Sequence, residues 1–195
     1  LKKKGFPEQF TEIIKNVYTG ATTNILTSKF TSRDICINRG TKQGCPVSPL
    51  LFNLCLEPLF KAINVINAAD GYTVVQNGDV AKFSIMAYAD DILLISNSKN
   101  GMSRMLETCK LFCDFTKMKL APAKSCSFGY EWIYNSRRGL RAGFQINGEN
   151  IPFVGLEDSI KYLGTLVSAR KCAKLKTSAD YFVKAKNKIE KIIQS

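Results

Sequence analysis

The stretch Phe83–Ser96, FSIMAYADDILLIS, constrains the fold more than any other part of the chain. Two short apolar runs rich in Ile, Phe and Tyr flank Ala89-Asp90-Asp91, a pattern that predicts a β-hairpin. Neighbouring side chains on a straight strand point to opposite faces. A turn at Ala89–Asp91 relaxes that rule and lets both carboxylates face one side. The flanking runs are apolar enough to be buried. Two adjacent carboxylates between buried strands repel each other, and one takes up a proton unless a cation is present. A hard divalent cation neutralises them most simply, and Mg2+ takes carboxylate oxygen ligands. The hairpin therefore reads as half of a metal site. Asp-Asp is also an ordinary turn dipeptide, and only its context can decide between the two.

The 195 residues suffice for one ordinary domain or a large piece of a bigger one. The first residue is Leu1 rather than Met, so the expectation is a fragment, a processed product or a trimmed chain. The net charge of +12 points to a polyanionic partner, with nucleic acid ahead of an anionic membrane. A merely soluble basic protein is the plainer alternative. Seven Cys without a C-x-x-C pair, and no His, argue against a zinc site and exclude any His-based acid, base or triad. Reduced, buried thiols in an intracellular protein are expected. No signal peptide is recognisable, and no apolar run approaches the ~20 residues of a membrane span.

Along the chain, Phe10, Ile13, Ile14 and Val17 predict a short amphipathic helix over Pro7–Tyr18, ended by Gly20. Ala21–Thr27 and Asp34–Asn38 read as strands. Arg39–Pro49, RGTKQGCPVSP, concentrates Gly, Pro, Gln and basic residues. Gly40 and Gly44 allow a ligand close to the backbone. Gln43, between Arg39, Lys42 and Gly44, looks like an edge facing phosphate and base, although a plain Gly/Pro connection has the same composition. Leu50 to Ile66 continues with helical spacing, and Pro58 should kink that helix or end its first half. Tyr72–Gln76 is a strand leading to the Asn77-Gly78 turn. Met102 to Lys117 is a helix whose apolar stripe packs under the sheet. Lys124 follows Pro122 in a turn, placed to reach across from a loop. Glu131–Arg141 is a polar, basic insertion of weak periodicity. Phe144–Ile146, Ile151–Val154 and Lys161–Val167 are short strands, with a turn at Asn147-Gly148. In the basic tail, Phe182, Ile189, Ile192 and Ile193 fall on one helical face and Lys184, Lys188 and Lys191 on the other. That second face is either solvated or tracks a phosphate backbone.

Three stretches now acquire a joint meaning. RGTKQGCPVSPLLFNLCLEPL, AYADDILLIS and KYLGTLVS, in this order and at these spacings, resemble reverse transcriptases. The Gln-Gly-Cys-Pro-x-Ser-Pro form is similar to the non-LTR, LINE-type retrotransposon branch. FQINGENIP before Tyr162-Leu163-Gly164 looks like the target-primed, site-specific members of that branch. The resemblance implies an α/β fold of the α+β type. It would be a palm with an antiparallel sheet and packed helices, with truncated fingers and partial palm in 1–168 and the start of a helical thumb in 169–195.

It also implies roles at matching positions. Asp90, with Asp91 assisting, would bind catalytic Mg2+ (or Mn2+). Tyr88 and Ala89 would lie near the primer end and the nucleotide. Arg39, Gln43 and Gly44 would line the incoming dNTP and template. Lys124 would protonate departing pyrophosphate, a general-acid contribution of typically ~10²–10⁴-fold. Tyr162, Leu163 and Gly164 would form the primer grip, and Lys184, Lys188 and Lys191 would contact nucleic acid. Two ions about 3.5–4 Å apart would serve the attacking 3′-hydroxyl and the leaving group. The implied partners are an RNA template, a DNA primer or target DNA, and dNTP, without a membrane. The implied location is intracellular, and nuclear at the time of action in a eukaryote. The family also uses an Asp on a strand upstream of the first helix, which 1–195 starts too late to include. The expectation is therefore a fragment inactive alone. A non-catalytic nucleic-acid-binding remnant is the alternative, and a basic structural domain a third.

Overall fold

The computed structural model describes residues 1–168. The chain divides into two units, Leu1–Leu54 and Cys55–Ser195. The first contains α1, Glu8–Tyr18, with Pro7 as its N-cap and Thr19 as its C-cap. None of its residues is fully buried, so the apolar stripe expected there stays largely open, with Ile13 at 59% exposure. The two expected strands shrink to β1, Thr22–Thr23, and β2, Ile35–Cys36, joined by two residue pairs.

Helix α2, Ser48–Ile66, begins in the first unit and ends in the second. It is assigned as one helix through Pro58, so the expected end of its first half is absent. It is also long and apolar enough to cross a membrane, by length and composition, which corrects the expectation that no apolar run approaches that length. Its Leu59 and Ile63, one helical turn apart, instead form a buried cluster with Met105 and Cys109 of α3, Lys99–Thr116. Ser98 caps α3 by accepting a hydrogen bond from the Gly101 N–H, which starts the helix three residues earlier than the apolar stripe alone predicts.

Every sheet among the described residues has two antiparallel strands. β3, Tyr72–Gln76, pairs with β4, Asp79–Phe83, around Asn77-Gly78. Both turn residues take positive φ, the type I′ geometry that Asn-Gly favours. β5, Ile85–Tyr88, pairs with β6, Asp91–Leu94. β7, Tyr130–Ile133, and β8, Ser136–Gly139, turn the basic insertion into a hairpin. β9, Gln145–Ile146, and β10, Glu149–Asn150, enclose Asn147-Gly148 as expected. Lys161–Val167 is not one strand. It folds back at Leu163-Gly164 between β11, Ser159–Tyr162, and β12, Thr165–Ser168. Ile151–Val154 contributes only a parallel bridge, Ser127 with Phe153.

A polar cluster ties the end of α2 to the start of α3. Asp70 is buried and accepts two hydrogen bonds from the Arg104 guanidinium and one from the Asn67 amide. The Arg104 bonds are the first cause holding the Asp70 carboxyl below its usual range. Thr108 donates to Asn67, and the Ser96 hydroxyl donates to the Asp70 carbonyl. Gly71 belongs to the same junction: a Cβ there would lie 2.2 Å from Ser84 Oγ. Backbone and hydroxyl fill the space that a side chain would need.

Candidate functional site

The β5–β6 register decides what each face of the hairpin does. Cross-strand partners share a face, so Ile85, Leu94, Ala87 and Ile92 lie on one side, and Met86, Leu93, Tyr88 and Asp91 on the other. Ile85, Leu94 and Ile92 pack against the buried cluster of α2 and α3. The opposite face is turned outward, with Tyr88 at 69% and Met86 at 49% exposure. Hydrophobic anchoring on one side thus presents Tyr88 and Asp91 on the other, with the exposed Asp90 in the turn between them.

The turn itself is Ala89-Asp90, and Asp91 is already the first residue of β6. Ala89 has φ 52°. A positive φ at the first central position alone is the pattern of a type II′ hairpin turn, normally held by Gly. A Cβ in that region costs of order 1–3 kcal/mol, which the surrounding structure must offset. Both aspartates are exposed, which corrects the expectation of a pair enclosed between buried strands: the flanking strands are themselves only half-buried. Water therefore screens their repulsion, and the turn tolerates both side by side. Among the described residues no ion pair engages either one, and no group of three or more metal-ligating side chains forms. Two hard, accessible carboxylates fit Mg2+, which commonly takes one or two protein carboxylates and completes its shell with water and substrate phosphate.

In the first unit, the Gly-rich loop has its own geometry. The Cys45 N–H donates to the Lys42 carbonyl, closing a turn with Gly44 at φ 82° in its third position. That is the type II arrangement, which requires a positive φ there. Gln43 stands exposed at the tip, and the space where a Gly44 side chain would project is open. Ser48 donates to the Lys42 carbonyl at 2.6 Å and bonds the Tyr18 hydroxyl at 3.0 Å, while Lys42 Nζ lies 5.9 Å from the Tyr18 ring centroid. Tyr18 and Ser48 therefore pin the loop. Sequence reading missed both, although a Ser at the first turn of a helix is a recognisable signal. The Cys45 thiol is held below its ordinary range, first by the Val47 backbone, with Ser48 and Tyr18 adding. Arg39 is exposed.

The remaining positions lie as follows. Lys124 ends a single 3₁₀ turn, Pro122–Lys124, and is exposed. Leu163 and Gly164 form the β11–β12 turn at φ 48° and 82°, with Tyr162 paired to Thr165. Lys184, Lys188 and Lys191 lie outside the described residues. A cleft of about 250 Å³ between α3 and the β9–β10 turn is lined by Lys99, Ser103, Glu107 and Lys110, among others, and contains none of the positions named above.

The family model described as reverse transcriptase (RNA-dependent DNA polymerase) matches residues 1–167. The chain belongs to the reverse transcriptase family. Among curated proteins it is similar to the retrovirus-related Pol polyprotein from type-2 retrotransposable element R2DM of Drosophila melanogaster, 27% identical over 84% of this chain and 15% of that protein. It is also similar to the Pol polyprotein from type-1 retrotransposable element R2 of Popillia japonica, 30% identical over 87% of this chain and 27% of that protein. A counterpart in Nasonia vitripennis is 23% identical over 87% of this chain and 16% of its own length. The chain thus spans about a sixth to a quarter of the length of these relatives.

Proposed function

We propose that residues 1–195 are part of an RNA-directed DNA polymerase of an R2-like, non-LTR retrotransposon. The observation that carries this reading is the Asp90–Asp91 pair, exposed on a turn whose strands are anchored in the core on their other face. Asp90 and Asp91 hold Mg2+, and a further carboxylate comes from outside 1–195. When bound, the metal supplies charge neutralisation for the phosphates and a more acidic 3′-hydroxyl. The chain's own part is to bind and orient. Gln43 and Gly44 border the incoming dNTP and the RNA template, with Arg39 on the phosphates. Tyr88 and Ala89 lie against the primer end. Tyr162, Leu163 and Gly164 hold the primer strand, and Lys124 gives a proton to departing pyrophosphate. Residues 1–168 form fingers and palm in part; the expected thumb start, 169–195 with Lys184, Lys188 and Lys191, lies outside the described residues. In a eukaryote, target-primed synthesis on chromosomal DNA would take place in the nucleus.

The test joins 1–195 to the preceding segment of its own reading frame and measures dNTP incorporation on an RNA template with Mg2+. Asp90→Asn should lower the rate by at least about 10²-fold, the scale for removing one preorganised electrostatic contact at a reacting centre. An undiminished rate in that variant overturns the metal assignment. The alternative reading is a nucleic-acid-binding piece without chemistry. Under it, wild type and Asp90→Asn bind nucleic acid equally and neither incorporates dNTP.

A further inference from the structure

The basic insertion folds into a hairpin whose tip is hard to explain by folding alone. Its turn residues, Tyr134 and Asn135, have φ 46° and 62°. This is a type I′ turn, whose first position favours Asn, Asp or Gly and whose second strongly favours Gly. A bulky residue at positive φ is a genuine outlier. Tyr134 is also 99% exposed, so its ring gains nothing from burial among the described residues. The turn would close better without it.

The surroundings of the ring have a definite chemistry. From Tyr130 to Arg141 the segment carries three arginines against one glutamate. Arg138 is exposed on β8, directly across from Glu131. Arg141 lies over the Phe153 ring at 5.7 Å, which holds the guanidinium while leaving its edge N–H groups open to an acceptor. The hairpin base is firm, because Leu140 N–H donates to the Gly129 carbonyl and Gly139 sits against Leu156 and Phe153. A rigid two-stranded arm therefore carries a bare aromatic ring at its end and a positive charge excess along its length.

We propose that this hairpin binds single-stranded nucleic acid, with one unpaired base stacked on Tyr134 and its phosphates met by Arg138 and Arg141. An aromatic ring offers a sequence-independent stacking platform, and cationic side chains track the backbone beside it. A duplex suits the tip less well, since its base faces are already covered. The inference rests on the polymerase reading, which brings an RNA template and a primer strand to this chain.

The experiment uses the whole 195-residue chain. Fluorescence anisotropy compares wild type with Tyr134→Asn/Asn135→Gly, which writes the favoured type I′ sequence into the turn and so removes the ring while preserving the hairpin. Probes are oligo(dT) and oligo(U) of about 12 nucleotides, within the span of single-strand sites, and a duplex of equal length. The expected result is about tenfold weaker binding of the single strands, little change for the duplex, and a thermal midpoint no lower than wild type. Tyr134→Phe, which keeps the ring, should bind as wild type does. A loss for oligo(U) alone assigns the site to RNA, and a loss for both assigns it to either strand. Equal binding by wild type and the double variant overturns the proposal. So does a change confined to self-association, which would make the ring a protein contact. Binding is read without synthesis, so failure here leaves the Asp90 test standing, and failure there leaves this one standing.

Discussion

At the scale of single residues, Ala89 and Cys109 make opposite statements about what the fold tolerates. Ala89 holds φ 52° in the Ala-Asp turn, where a glycine would sit without strain. Ala89→Gly should raise stability by about 1 kcal/mol, since the Cβ penalty exceeds the entropy that glycine adds to the unfolded chain. Urea denaturation measures this, and a lower midpoint would show that the surrounding hairpin relieves the strain. Cys109 lies in the core with Leu59, Ile63 and Met105, and burial pushes its thiol up to about 12. Its neutral form suits the fold at any pH below the ordinary thiol value near 9. As pH rises from there towards 12, the unfolded chain ionises first and stability is lost. Cys36, Cys55 and Cys126 are exposed. A timed alkylation at neutral pH should label these three while Cys109 stays protected until the chain unfolds, and equal rates would contradict its burial.

At the scale of elements, the junction of α2, β3 and α3 is the part most sensitive to change. Gly71→Ala puts a methyl group 2.2 Å from Ser84 Oγ and 3.1 Å from the Phe83 carbonyl, and should cost about 1–3 kcal/mol as the hairpin shifts to make room. The Asp70–Arg104 pair gives the same junction a pH response. The Asp70 carboxyl titrates below its usual value, so its contribution is fully present above about pH 4 and disappears as pH falls further. Arg104→Met should lower the denaturation midpoint at pH 7 and flatten its fall in acid; an unchanged acid limb would place the sensitivity elsewhere. Some of this architecture was legible in the sequence, because the strongest signals are local. Asn77-Gly78, Asn147-Gly148 and the apolar runs around Asp90 each code their own turn. The β7–β8 hairpin was not legible, since Tyr134-Asn135 violates the turn preference that announces such hairpins. Leu163-Gly164 hid inside an apolar stretch that reads as one strand. The exposure of Asp90 and Asp91 differs from the expectation because strand hydrophobicity reports on one face of the hairpin only. Pro58 reads locally as a break, yet the two halves of α2 continue as one helix around it.

At the scale of the whole molecule, charge is the property that the sequence states most directly. A net +12 on 195 residues gives any nucleic-acid complex a large counterion-release component. Binding of a single strand should weaken at least about tenfold between about 50 and 200 mM salt, with a linear log–log slope. A flat response would remove the electrostatic argument for a polyanionic partner. The position of the aspartates belongs to this scale too. Family membership across 1–167 and similarity to R2 Pol polyproteins frame the pair, and the hairpin register explains why Asp91 faces outward. The two-stranded sheets have a further consequence. Each described hairpin has two outer edges whose backbone N–H and C=O groups are not claimed by a third strand of the sheet. Such edges are templates for pairing with other chains, and β3–β4 adds exposed Val75 and Val80 directly opposite each other. The net charge of +12 opposes such pairing by mutual repulsion between molecules. Colloidal stability should therefore fall as added salt screens the charge, with light scattering rising at ionic strengths that leave the circular dichroism of the folded chain unchanged.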